Sequence, residues 1–118
     1  MPINKPWISS QDVQPRDLPG TVGVYELGDA DGQVIYIGYA GGRSLTGLRG
    51  VIIAHRGGDE PNAVIQSRMT NVRYEVTTSY LTRHLELLSR YSEDEGALPD
   101  GNIASGEPHP PLARFHWS

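Results

Sequence analysis

The chain has 118 residues, 37% of them hydrophobic and 20% charged, which is room for one small domain and too apolar for a wholly disordered polymer. It contains no cysteine, which excludes disulfides, cysteine-held zinc or iron–sulfur clusters and a thiolate nucleophile. Ten lysines and arginines against fourteen acids leave a net charge of −4, which argues against the broad basic surface of a simple nucleic-acid binder.

Residues 1–19 hold Pro2, Pro6, Pro15 and Pro19 and no sustained period, so an extended lead-in is expected, with Trp7 and Ile8 as a packing anchor. The start lacks the basic region and apolar stretch of a signal peptide. The longest nearly apolar run, Val34 to Ala40, is far below the ~20 residues that span a bilayer. A soluble, cytoplasmic chain without a membrane partner is therefore expected.

Gly23 to Leu27 and Gln33 to Ile37 are rich in β-branched and aromatic residues, and Gly28-Asp29-Ala30-Asp31-Gly32 between them is turn chemistry, which predicts a β-hairpin. Asp29-x-Asp31-Gly32 looks like the start of a calcium loop, but the later ligands are missing and a plain turn is expected. A turn centred between Ala30 and Asp31 sets Tyr25 opposite Tyr36. A turn on Asp31-Gly32 shifts the partner by two residues and keeps both tyrosines on one face.

Ser44 is a candidate cap for a helix running to Arg56, with Leu45, Leu48 and Ile52 on one side and Gly57 as the stop. A loop over 57–71 with a short helix from Asn62 to Met69 comes next. The alternation of Val72, Tyr74 and Val76 with Arg73, Glu75 and Thr77 then predicts a strand over 71–78. From Tyr80 to Tyr91 the period turns helical, with Leu81, Leu85 and Leu88 in the apolar arc and Arg83, Glu86, Ser89 and Arg90 opposite. The last 25 residues, rich in glycine, proline and acids, read as a tail in which Phe115 and Trp117 could dock back.

The charge is unevenly spread. Residues 43–90 carry seven arginines (43, 49, 56, 68, 73, 83 and 90) against four acids, while both flanks are acidic. The planar guanidinium suits bidentate phosphate contacts. No P-loop, Gly-x-Ser-x-Gly elbow or His-Glu-x-x-His pair occurs.

Gly23-Val24-Tyr25, ten residues, then Tyr36-Ile37-Gly38 resembles the signature of the GIY-YIG nuclease family, with valine for the first isoleucine. The order strand, strand, helix, strand, helix is similar too. The resemblance covers residues 20–102, leaving 1–19 as lead-in and 103–118 as a Pro/Gly-rich tail. It implies an α+β domain in which a three-stranded antiparallel sheet is flanked by helices, and metal-dependent hydrolysis of phosphodiesters in DNA or, as the second choice, RNA. By the same resemblance Tyr25, Tyr36, Arg49 and His55 are catalytic, Glu86 binds Mg²⁺ or Mn²⁺, and Asn102 and Arg43 contact substrate. The family's histidine follows its arginine by four residues, a position held here by Ile53, while His55 lies six on, about 240° around a helix. The chain between Tyr39 and Leu48 is also longer than the resemblance leads one to expect, which makes Arg43 an alternative to Arg49. The implied partners are nucleic acid and, since the chain leaves no room for a separate binding module, a partner protein or a second copy. A catalytically inactive module that binds nucleic acid or a protein is the alternative reading.

Overall fold

The computed structural model describes residues 3–106, and the expectation that Phe115 and Trp117 dock back falls outside them. The fold is α+β, with a four-stranded antiparallel sheet in the order β1-β4-β2-β3, not the expected three strands. In the chain these are β1 (Ile8–Ser9), β2 (Gly23–Gly28), β3 (Val34–Ala40) and β4 (Asn71–Val76). The additional strand is two residues of the lead-in paired with the outer edge of β4, Ile8 with Val72 and Ser9 with Asn71. Two residues are too few for a period to show.

The hairpin of β2 and β3 forms as expected, in the register set by a turn on Asp31-Gly32. Tyr25 lies opposite Gly38 and Leu27 opposite Tyr36. Asp29 Oδ1 accepts from the amides of Asp31 (3.0 Å) and Gln33 (2.9 Å), and Gly32 takes the positive φ of 80° that the turn demands. β2 is central, with β4 on its other side placing Tyr74 beside Tyr25 and Val72 beside Leu27.

Side-chain alternation divides the sheet. One face carries Tyr25, Leu27, Tyr36, Ala40 and Val72 under helix α1 (Gly47–Arg56), whose Leu48 and Ile52 are buried one turn apart, and helix α2 (Ala63–Arg68), which contributes Ile65. The other carries Val24 and Ile37 under helix α3 (Tyr80–Glu95) through Leu87 and Leu88. A last helix, α4 (Asp100–Ser105), lies within the expected tail; six residues with Gly101 and no apolar stripe gave no periodic signal. The lead-in belongs to the core as well, since Ile3, Val13 and Leu18 are buried and the Trp7 ring covers Gly28 and Arg73.

Two helix faces differ from expectation. Leu45 precedes α1 and is fully exposed, because the helix begins at Gly47 and not after Ser44. Ser89, expected in the polar arc of α3, is buried, while Leu81 is exposed. Among the described residues no helix is long and apolar enough to cross a membrane.

Candidate active site

Tyr25 and Tyr36 project from neighbouring strands onto the α1 face, with ring centroids 6.1 Å apart. The Tyr25 ring lies across Gly38, where a Cβ would fall 2.8 Å from Tyr25 Cε1 and closer still to Cζ and the hydroxyl. Glycine at 38 is therefore a space requirement of Tyr25. Gly23 is constrained likewise: a Cβ there would meet Leu48 Cδ1 at 2.7 Å and the Glu75 carbonyl closer still.

From the last turn of α1, His55 reaches down between the tyrosines, 5.5 Å from the Tyr25 ring and 5.4 Å from the Tyr36 ring. Its Nε2 lies 2.6 Å from the Tyr25 hydroxyl. Its Nδ1 meets Glu60 Oε1 in a short contact, and Glu60 Oε2 accepts from the Asn62 amide at 3.3 Å. A carboxylate can only accept, so in the neutral imidazole Nδ1 carries the proton and Nε2 is left to accept from the phenol. The side chains of His55 and Glu60 are 17% and 6% exposed, and Tyr25 is 3% exposed, so the chain Glu60–His55–Tyr25 is largely shielded from water.

Two depressions of about 410 and 490 Å³ adjoin this chain and share Tyr36 and His55. The first runs between α2 and α4 past Glu60, Asn62 and Ser105, and the second runs over Tyr25, Gly38, Tyr39 and Val51.

Glu60 was not among the residues singled out from sequence. The signal was local: Gly57-Gly58, five and four residues before Asn62, turns the chain back at the end of α1, and Asn62 then caps α2 by accepting from the Val64 and Ile65 amides at 3.1 and 3.3 Å. That return carries Glu60 under His55.

Other expected site residues are placed elsewhere. Arg49 points away from the tyrosines, its Nε donating to the carbonyls of Pro15 (2.8 Å) and Leu18 (3.0 Å). The residue one turn before His55 is Val51, so α1 presents an apolar side chain where the resemblance calls for an arginine. Glu86 lies on α3, on the opposite face of the sheet, paired with Arg83, which also holds Glu75 at 2.8 Å. Asn102 clamps the edge of β3: Oδ1 accepts from the Ile37 amide and Nδ2 donates to the Ile37 carbonyl, both at 2.9 Å. Arg43 is exposed on the loop after β3, and no partner is present for it among the described residues.

The arginine-rich middle is mostly engaged internally. Arg56 donates to the carbonyls of Ser10 and Val13, Arg68 bridges Asp29 and Asp100, Arg73 binds Glu26 at 2.6 Å, and Arg90 pairs with Asp94. Six of the seven guanidinium groups thus have protein partners, leaving Arg43. Behind the sheet, burial pushes the Glu26 carboxyl above its ordinary range against the opposing pull of Arg73.

A Mg²⁺ or Mn²⁺ ion held through Glu86 beside the tyrosines does not fit this arrangement, because the sheet separates them and Arg83 occupies the carboxylate. Glu60, the carboxylate at the cluster, has both oxygens in hydrogen bonds. Among the described residues no three histidine or acidic side chains gather as a metal site.

Fold and site together define a small α+β domain in which a hairpin tyrosine pair, a helix-borne histidine and a loop glutamate line an open cleft. The chain belongs to the family described as Domain of unknown function (DUF7508), whose model matches residues 1–94, a span that includes Tyr25, Tyr36, His55 and Glu60. No curated protein matches it.

Proposed function

We propose that this chain is a phosphodiester hydrolase of the GIY-YIG type acting on DNA, with RNA as the second substrate class. The observation that supports this best is the shielded chain Glu60–His55–Tyr25 ending at a depression large enough for a phosphodiester. In this reading a water attacks phosphorus in line with the leaving oxygen and passes its proton to Tyr25 Oη as Tyr25 passes its own to His55 Nε2. The positive charge that develops on the imidazole is balanced by Glu60, and the departing oxygen, on the far side of phosphorus from Tyr25, takes its proton from bulk water, to which the imidazolium then returns the one it accepted. Tyr36, which lines both depressions, supplies a hydrogen bond to a phosphoryl oxygen, stabilising the charge that accumulates there.

A second reading, a non-catalytic module that binds nucleic acid or a partner protein, is favoured by one observation: Arg49 is locked onto main-chain carbonyls, and Val51 stands one turn before His55. Incubation of wild type, Tyr25→Phe and His55→Ala with nicked, branched and single-stranded DNA, in Mg²⁺, Mn²⁺ or EDTA, separates the two. The hydrolase reading expects a loss of about 100-fold or more in both variants. Well-folded wild type that cuts nothing under any condition overturns it, and salt-sensitive binding without cutting supports the second reading.

A further inference from the structure

Tyr39 is used by none of the chemistry above. It follows Gly38 on β3, the edge strand, and borders the same 490 Å³ depression as Tyr25, Tyr36 and His55, while alternation turns its ring to the α3 side of the sheet, where it is 40% exposed and those two tyrosines are buried. Its ring is fixed from behind. Tyr80 lies nearly parallel to it, with centroids 5.8 Å apart and planes 15° from each other, and His84 packs at 4.8 Å. These supports are themselves held, Tyr80 by the Gly42 amide at 3.0 Å and His84 at the Ile37 carbonyl at 3.1 Å. An exposed aromatic ring already immobilised loses little further entropy when a second flat group stacks on it.

Electrostatics gives this ring its importance. With six of seven central arginines bound to the protein's own carboxylates and carbonyls and a net charge of −4, a polyanion finds few cations to grip. Base stacking is the source of affinity that remains, and it needs a base whose face is not covered by its neighbours in a duplex.

We propose that Tyr39 is a stacking platform for an unpaired nucleobase adjacent to the phosphate at Tyr25, so that the substrate is a single strand and not intact duplex. Arg43, four residues further along the same chain segment, supplies a single phosphate contact. This rests on the phosphodiester-hydrolase reading, and binding is measured apart from cutting so that the two can fail separately.

The test is fluorescence anisotropy of the full chain in EDTA with a labelled thymidine single strand of roughly eight nucleotides and, in parallel, a labelled duplex of mixed sequence. The single strand is expected to bind more tightly than the duplex, with log affinity falling against log salt by a slope no steeper than about −2. Tyr39→Ala and Tyr39→Leu each weaken binding about 10-fold or more, Leu being the variant that keeps apolar bulk against Tyr80, while Tyr39→Trp retains it. Equal or tighter binding of duplex, no binding of the single strand, or wild-type affinity in folded Tyr39→Leu overturns the proposal.

Discussion

Gly38→Ala tests the local geometry on which the site depends. Gly38 is not among the glycines with positive φ, so the backbone accepts alanine, and the substitution by itself would stabilise by ~0.4–1 kcal/mol through the unfolded chain. The new methyl, however, would sit 2.8 Å from Tyr25 Cε1 where carbon atoms ordinarily keep about 3.5–4.0 Å. Either the ring or the strand must move by about 1 Å, an overpacking cost of ~1–3 kcal/mol. Moving the ring also breaks the 2.6 Å bond to His55, at ~0.5–1.5 kcal/mol. The net expectation is a loss of about 2 kcal/mol, or a fall in Tm of roughly 8 °C. Urea unfolding of wild type, Gly38→Ala, Tyr25→Ala and the double variant gives the coupling directly. In the Tyr25→Ala background Gly38→Ala should be neutral or mildly stabilising. An equal cost in both backgrounds, or none in wild type, would refute the claim that glycine is there to admit the tyrosine.

Three further outcomes follow from the same structure. Arg73→Ala leaves the buried Glu26 carboxylate without its partner and should cost about 3–5 kcal/mol near neutral pH. Because burial raises the Glu26 pKa, the stability linked to its protonation is present below its ordinary value of 4.5 and lost as pH rises through the folded value. The deficit of Arg73→Ala in urea unfolding should therefore shrink from about pH 7 to about pH 5. Asp29 is shifted the other way, held below its ordinary 3.8 by the Gln33 amide first, with Arg68 and the Asp31 amide adding to it. Its contribution is present above that value and lost on acidification, so Asp29→Asn should flatten the fall of Tm below about pH 4. Asn102→Ala removes two 2.9 Å bonds from Ile37 and strands its amide, for a loss of about 2–4 kcal/mol, read as faster hydrogen exchange at the Ile37 amide.

The hairpin was legible because β-branched alternation and Asp-Gly turn chemistry are local, and the period of two alone put both tyrosines on one face. The two-residue strand at Ile8 and helix α4 were not, since each is held by partners distant in sequence and has no period of its own. Glu60 was hidden for a related reason: it is a loop acid whose role depends on how the chain turns back after α1. The arginines misled differently. Counting them gave a phosphate-facing surplus, but a count does not reveal that Arg49 and Arg56 are spent tethering the lead-in through its carbonyls, or that Arg73 and Arg83 neutralise acids behind the sheet. For Glu86, the helical pairing with Arg83 visible in the sequence describes its surroundings, while α3 packs against the face of the sheet that the tyrosines do not share.

The most direct test sets two carboxylates against each other: the rate of DNA cutting by Glu60→Gln and by Glu86→Gln, measured side by side in folded protein. Glutamine at 60 can still accept from His55 Nδ1 but no longer balances the charge on the imidazole, and the rate should fall about 100-fold or more. Glutamine at 86 should leave it within a few-fold of wild type. A large loss at 86 with little at 60 would contradict the relay and return the chemistry to a metal held on α3.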